Sequence, residues 1–399
     1  MTDTEKLIRQ AERVSAHNYA PLPIVIERAE GVWAWDTEGR KYLDCLSAYS
    51  SLSLGHRHPR VIAALLAQSE KLTLTSRAFH NDRMGPFLEA LCERSEMEMA
   101  LPMNTGAEAV ETAIKLVRKW GYRTKGVAKD EAEIIVCRNN FHGRTTTLVG
   151  FSSEPEYRQD FGPYAAGFQL IDFGDAEQLA EAITPNTVAF LVEPIQAEAG
   201  IHIPPAGYLS AARRICSDNH VLFVLDEIQT GLGRTGKLFA YQHEEDAKPD
   251  VLILGKALGG GVYPVSAALS SSEIMGLIQP GEHGSTFGGN PLAAAVGLSV
   301  LDVIADERLV DRAAEHGAYL LEGIRSIRSE AISDIRGRGL LIGIEIRAEA
   351  GPARDFAARL LELGVLTKDT HEQVIRLAPP LVIERSELDW LLERLHSAF

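Results

Sequence analysis

Val221-Leu-Phe-Val-Leu-Asp226-Glu-Ile-Gln229-Thr and, further along, Val251-Leu-Ile-Leu-Gly-Lys256-Ala-Leu-Gly-Gly-Gly261 are two short apolar runs. Each leads into a charged residue and then into chain rich in turn formers. Uninterrupted strand formers of this length read as a strand buried on both faces of a sheet. Ligands of open α/β sheets sit at the carboxyl edge of such strands. One edge therefore presents a carboxylate, Asp226, and an amine, Lys256, from separate strands.

Two readings of that pair stand open. One is a plain buried ion pair. The other is a site for pyridoxal phosphate, whose aldehyde needs a lysine for its Schiff base and whose pyridine nitrogen needs a carboxylate to stay protonated. A charge-assisted contact of this kind contributes about 1.5–3 kcal/mol.

Working outward, the segments near 59–71, 84–95 and 107–120 have helical patterning, and apolar runs recur at 134–137, 187–192, 221–225, 251–254 and 265–269. Helical stretches such as 207–218 intervene. Strands alternating with helices predict a mostly parallel (mixed) central sheet flanked by helices. From Asn290 a helical pattern runs to about 327, and the remainder reads as α+β. Residues 3–18 read as a surface helix, and 32–44 as a hairpin. The expected division is an N-terminal segment 1–50 that joins the small domain, a large domain 51–297, and a C-terminal small domain 298–399.

The 399 residues carry 55 acids against 40 bases, a net charge of −15, which excludes a nucleic-acid surface and an acidic membrane as partners. Four scattered cysteines without CxxC spacing suggest no disulfide framework and a reducing compartment. The first residues lack the apolar core of a secretion signal, so the protein is expected in the cytoplasm. His56-Arg57-His58 lacks a third nearby ligand, and no metal is expected.

Three further stretches fall at the same edge. Asn104-Thr105-Gly106-Ala107-Glu108 leads into a helix, and its free N–H groups suit a phosphate as well as they suit a plain N-cap. Asn139-Asn140-Phe141-His142-Gly143-Arg144 offers a ring that could stack and a guanidinium for a carboxylate. Val192-Glu193-Pro-Ile-Gln-Ala-Glu198 ends a strand with acids. Gly231-Leu-Gly233-Arg-Thr-Gly236-Lys237 matches two nucleotide-loop patterns, but Leu238 stands where magnesium needs a hydroxyl. A flexible active-site loop is the better reading; a nucleotide-binding module is the rival.

With these pieces assembled, the chain resembles the class III pyridoxal-phosphate aminotransferases of fold type I. The resemblance runs from Asn18-Tyr19 to Pro379-Pro380. It rests on an ordered series: Val192-Glu-Pro-Ile-Gln196, Asp226-Glu-Ile-Gln-Thr-Gly231, Gly255-Lys-Ala-Leu258 and His283-Gly-Ser-Thr-Phe-Gly-Gly-Asn-Pro291. It implies Lys256 as the Schiff-base lysine, Asp226 on the ring nitrogen, and Gln229 on the ring hydroxyl. Ile228 and Phe141 would flank the ring, and Gly106 and Ala107 would hold the phosphate. Ser285 and Thr286 resemble a phosphate contact given by a neighbouring subunit, which implies at least a homodimer.

Within the family the chain is most similar to the members that transfer the terminal amine of ornithine to 2-oxoglutarate. That likeness implies Arg144 for the donor carboxylate, with Tyr19 and Tyr49 selecting the donor. It implies Arg376 for the acceptor carboxylate, with Glu198 masking Arg376, and puts Glu193 among the substrate residues. His142 departs from some ornithine enzymes, which carry Trp there, and matches many acetylornithine relatives. Acetylornithine and 4-aminobutyrate remain the alternative donors.

Overall fold

The computed structural model describes residues 2–399. At its centre lies a seven-stranded sheet in the order Met99–Met103, Ser266–Ser270, Val251–Leu254, Leu222–Asp226, Thr187–Val192, Glu133–Cys137, Phe168–Ile171. The last five run parallel, while Ser266–Ser270 is antiparallel to both of its neighbours. The inner parallel strands Thr187–Val192, Leu222–Asp226 and Val251–Leu254 are apolar apart from Thr187 and Asp226 at their ends, because each face meets its own core. Phe190, Phe223, Leu225, Leu252 and Leu254 join one cluster, and their alternates Leu191, Val224, Val251 and Ile253 join the other. Each fully buried side chain of this size contributes about 1.5–3 kcal/mol.

Helices cover both faces. Gly106–Trp120 begins with a capping box, in which Thr105 Oγ1 accepts from Glu108 N and Glu108 accepts from Thr105 N at 2.7 Å. Its spaced Val110, Ala113, Ile114, Val117 and Trp120 are buried against the sheet.

The expected helix from 290 to 327 is two helices, Pro291–Asp306 and Leu309–Arg325, parted at Arg308 by a left-handed φ of 51°. The first of them spans the expected boundary at 297/298. Beyond lies an antiparallel sheet ordered Ile332–Arg338, Leu341–Ile346, Val374–Leu377, Lys368–Thr370. Near the start, Ile26–Glu30, Trp33–Asp36 and Lys41–Asp44 form antiparallel pairs, and Val365–Leu366 adds to Lys41–Asp44 in parallel. That pairing joins the two ends of the chain in one sheet. Among the described residues no helix is long and apolar enough to cross a membrane.

Candidate active site

The carboxyl edge of the parallel strands gathers the segments that follow residues 103, 137, 192, 226 and 254. Two cavities meet there. An inner one of about 180 Å³ is lined by Gly106, Ala107, Phe141, His142, Glu193, Asp226, Ile228, Gln229 and Lys256. An outer one of about 770 Å³ is lined by Tyr19, Tyr49, Phe141, Arg144, Tyr157, Glu198, Lys256 and Arg376. Lys256 and Phe141 line both. A third hollow of about 410 Å³, bounded by Asn104, Thr105, Gly106 and Tyr263, also reaches Lys256.

Asp226 is buried at the strand end, register partner of Ile253 two residues before Gly255. Its Oδ1 accepts from Ile228 N at 3.0 Å, and its Oδ2 lies 2.7 Å from His142 Nδ1. His142 is equally buried, and among the described residues its Nε2 has no hydrogen-bond partner. This contact was not anticipated from the sequence, although the place of His142 just past a buried strand was its signal. Glu227, the next residue, turns away from the cavities: it accepts from Ala240 N at 2.7 Å, Tyr241 N at 2.9 Å and Thr230 Oγ1. Burial pushes its carboxyl up to about 7.

Lys256 opens a short 3-10 turn at a φ of 41°, aiming its side chain between the cavities. Burial is the leading cause of its lowered pKa, opposed by Glu198. Gln229 donates to Glu198 Oε1 at 3.0 Å, while its own Oε1 is buried with no partner among the described residues. Glu193 lies on the inner side and accepts from Phe141 N at 3.0 Å. Burial, and then the charge of Asp226, hold its carboxyl well above the usual range.

Across the outer cavity Glu198 Oε1 accepts from Arg376 Nη1 at 2.8 Å and stands 3.9 Å from Lys256 Nζ. Burial is the largest influence on Glu198 and raises its pKa, but Arg376, Lys256 and two hydrogen bonds together outweigh it and set the value at about 2. The Arg376 guanidinium is 1% exposed and lies 4.8 Å from the Tyr49 ring centroid.

Tyr49 sits in an uncommon turn. Ser47, Ala48, Tyr49 and Ser50 all have left-handed φ, between 46° and 70°. Such backbone costs about 1–2 kcal/mol per residue without glycine, so neighbours must hold it.

Arg144 is exposed and among the described residues has no carboxylate partner; its guanidinium stacks 3.9 Å above Tyr157, a residue that the sequence did not single out. Tyr19 is 68% exposed at the cavity rim. Ser285 and Thr286 line none of these cavities in their own chain: Ser285 Oγ accepts from Asn104 Nδ2 at 2.8 Å, and Thr286 is exposed beside a half-exposed Phe287.

The glycine-rich segment Gly231–Lys237 differs from its expectation as a flexible active-site loop. Residues 231–236 are buried and line none of the three cavities. Gly236 faces the helix Leu309–Arg325 so closely that a Cβ would meet Ala314 Cα at 2.9 Å. The backbone is fixed by packing, which leaves no room for a nucleotide. His56 and His58 also part company, onto Asp44 at 2.8 Å and Glu307 at 3.1 Å.

The model of the family "Aminotransferase class-III" matches residues 14–399. With this sheet and this carboxyl edge, the chain belongs to the class-III aminotransferases, pyridoxal-phosphate-dependent transaminases of fold type I. It is 57% identical over 395 residues to the ornithine aminotransferase of Brevibacillus brevis, covering 99% of this chain and 98% of that one. It superposes with a TM-score of 0.98 on the Toxoplasma gondii ornithine aminotransferase, a structure described as having partial occupancy of pyridoxal phosphate at the active site. There the identity is 45%, with 99% and 94% of the two chains covered. An acetylornithine aminotransferase from Elizabethkingia anophelis is also similar, at a TM-score of 0.90, 44% identity, and 100% and 99% coverage.

The inner cavity suits that cofactor. It offers a buried carboxylate for the ring nitrogen, an amine at its mouth, and an unpartnered acceptor at Gln229. At the helix start a Cβ on Gly106 would stand 2.9 Å from Ile228 Cδ1, so glycine lets the helix start and Ile228 pack this closely without a shift of that side chain.

Proposed function

We propose that this chain is an ornithine δ-aminotransferase, moving the terminal amine of L-ornithine to 2-oxoglutarate in a ping-pong cycle that yields glutamate 5-semialdehyde and glutamate. The observation that carries it is the Arg376–Glu198 pair, 2.8 Å long, beside Lys256 and across the outer cavity from Arg144. One pocket must take a donor by its distal amine and an acceptor by its α-carbon. A guanidinium already paired with a carboxylate offers little to a second acid until the pair opens.

Pyridoxal phosphate, when bound, supplies an aldehyde for the amine and a ring that draws electrons from the neighbouring carbon. Asp226, steadied by His142, would hold the ring-nitrogen proton. Gln229 would meet the ring hydroxyl, Ile228 and Phe141 the two ring faces, and the N–H groups of Gly106 and Ala107 the phosphate. Lys256 Nζ, its basicity lowered by burial, would carry the proton between the reacting carbons. Glu193, beside Asp226, would complete the wall between ring and substrate.

Arg144 would hold the ornithine carboxylate, with Tyr19 and Tyr49 lining its path. Arg376 would hold the α-carboxylate of 2-oxoglutarate. Thr286 and Ser285 of a second copy would complete the phosphate site through the hollow beside Asn104, making the working unit a cytoplasmic homodimer or larger assembly. The small unit would comprise residues 1–50 and 298–399, packed against 51–297.

His142 is the one observation favouring an acetylated donor. Stopped-flow half-reactions with ornithine, acetylornithine and 4-aminobutyrate decide the matter: ornithine is expected to react fastest, and faster turnover of acetylornithine would overturn the substrate. The lysine is checked separately. The purified protein is expected to be yellow and to retain its cofactor covalently after borohydride, and Lys256→Ala to lose both that retention and all turnover.

A further inference from the structure

The segment Gly231–Lys237 lines none of the three cavities described above, yet it carries Arg234, which is 0% exposed. Among the described residues no carboxylate pairs with this guanidinium. Burial lowers its pKa to about 9. Its partners are three oxygens from three segments: Nη1 donates to Pro379 O at 2.5 Å and Leu340 O at 2.9 Å, and Nη2 to Ser53 Oγ at 3.1 Å. A buried cation that feels the charge of Asp44 but forms no ion pair with it is a costly way to fill space, so its geometry calls for a reason.

The reason lies in what the three oxygens belong to. Ser53 Oγ passes the bond on, donating at 3.1 Å to Ser50 O, the last residue of the left-handed turn that carries Tyr49. The beginning of that turn is tied by Asp44, whose Oδ1 accepts from Leu46 N at 3.0 Å and Ser47 N at 2.8 Å. Pro379 closes the short stretch that follows Arg376 and its strand. Arg234 thus stands between the end of one segment and the end of the other, on the side away from the cavity.

We infer that Arg234 is a positioning residue for Tyr49 and for the acid-binding Arg376, its planar fork fixing the strained turn against the strand end so that ring and guanidinium meet at the cavity. The inference rests on the reading of Arg376 as the cation that takes the acceptor acid. A lysine at 234 keeps the charge but presents no fork to span three acceptors. Loss of the Ser53 hydroxyl cuts only the link to the turn.

The test uses the holoenzyme and three variants, Ser53→Ala, Arg234→Lys and Arg376→Gln, with steady-state kinetics, cofactor retention and thermal midpoints. In Ser53→Ala and Arg234→Lys the KM for 2-oxoglutarate is expected to rise about five- to twentyfold, while kcat at saturation stays within about twofold. The KM for ornithine, whose path Tyr49 also lines, should rise as well, and cofactor retention should not change. A lowered thermal midpoint with both KM values unchanged would mean that Arg234 only supports the fold, and the inference fails. Should Arg234→Lys not fold, Ser53→Ala decides alone. If Arg376→Gln raises the KM for 2-oxoglutarate and Ser53→Ala does not, the acid-binding reading stands and the inference about Arg234 falls. If Arg376→Gln leaves that KM unchanged, both fall together.

Discussion

Glu198 holds three donors at once, Arg376, Gln229 and, at longer range, Lys256. Its pKa of about 2 lies below the ordinary carboxylate value, so its ionised form is favoured in the fold. The stability this contributes is fully present above the unfolded pKa near 4.5 and is lost as pH falls from there towards 2. Between pH 5 and 9 protons therefore do not open the pair; an incoming carboxylate must. Glu198→Gln keeps the shape and removes the charge that competes with substrate. In this variant the KM for 2-oxoglutarate is expected to fall about three- to tenfold, with the glutamate half-reaction accelerated relative to the ornithine one. The ratio of parent to variant KM should stay flat across pH 5–9. Equal effects on both half-reactions, or a ratio that bends within that window, would refute the mask.

At the scale of elements, the helix Gly106–Trp120 shows how little room the cofactor end allows. Its first residue faces Ile228, and an added Cβ would lie 2.9 Å from the flexible Cδ1 tip and 3.2 Å from Cγ2. The capping box and the buried stripe do not depend on this position, so Gly106→Ala should keep the helix and push Ile228 into the inner cavity. A drop of about tenfold in pyridoxal-phosphate affinity by fluorescence titration, with a thermal midpoint of the apo form within a few degrees, is expected. Unchanged affinity would show that the phosphate does not approach here.

The helix and the buried parallel strands were legible because apolar pattern and capping residues act locally. Met99–Met103 gives no clear strand signal, since Pro102 sits in it and only an edge position tolerates a proline. The left-handed turn at Ser47–Ser50 has no glycine to announce it, since it is imposed by Asp44 and Ser53 from outside. Gly231–Lys237 was read as mobile from its glycines. Those glycines serve close packing on the helix Leu309–Arg325 and the turn at Gly339, a tertiary fact with no local signal.

At the scale of the whole molecule, the ordered series of motifs points to Lys256 and Asp226 and the likeness to ornithine-using members to the pair Glu198–Arg376, all at one carboxyl edge, yet Ser285 and Thr286 lie outside their own chain's cavities. If Thr286 of one copy serves the phosphate of another, defects on the two sides of the interface must complement. Lys256→Ala removes the reacting amine from one chain. Thr286→Asp sets a carboxylate against the phosphate of its neighbour and repels it. Each homodimer is then inactive. In a heterodimer both defects fall in one site, leaving the other with an intact Lys256 and an intact Thr286. Random pairing makes about half the dimers mixed, each with one working site in two, so co-expression of the two variants should restore about one quarter of parental activity. A site built within a single chain gives no recovery at all, because every site then carries one defect or the other. Dilution of the parental protein separates the readings further, since a shared site loses turnover and cofactor together as the dimers part, whereas a self-contained one keeps both.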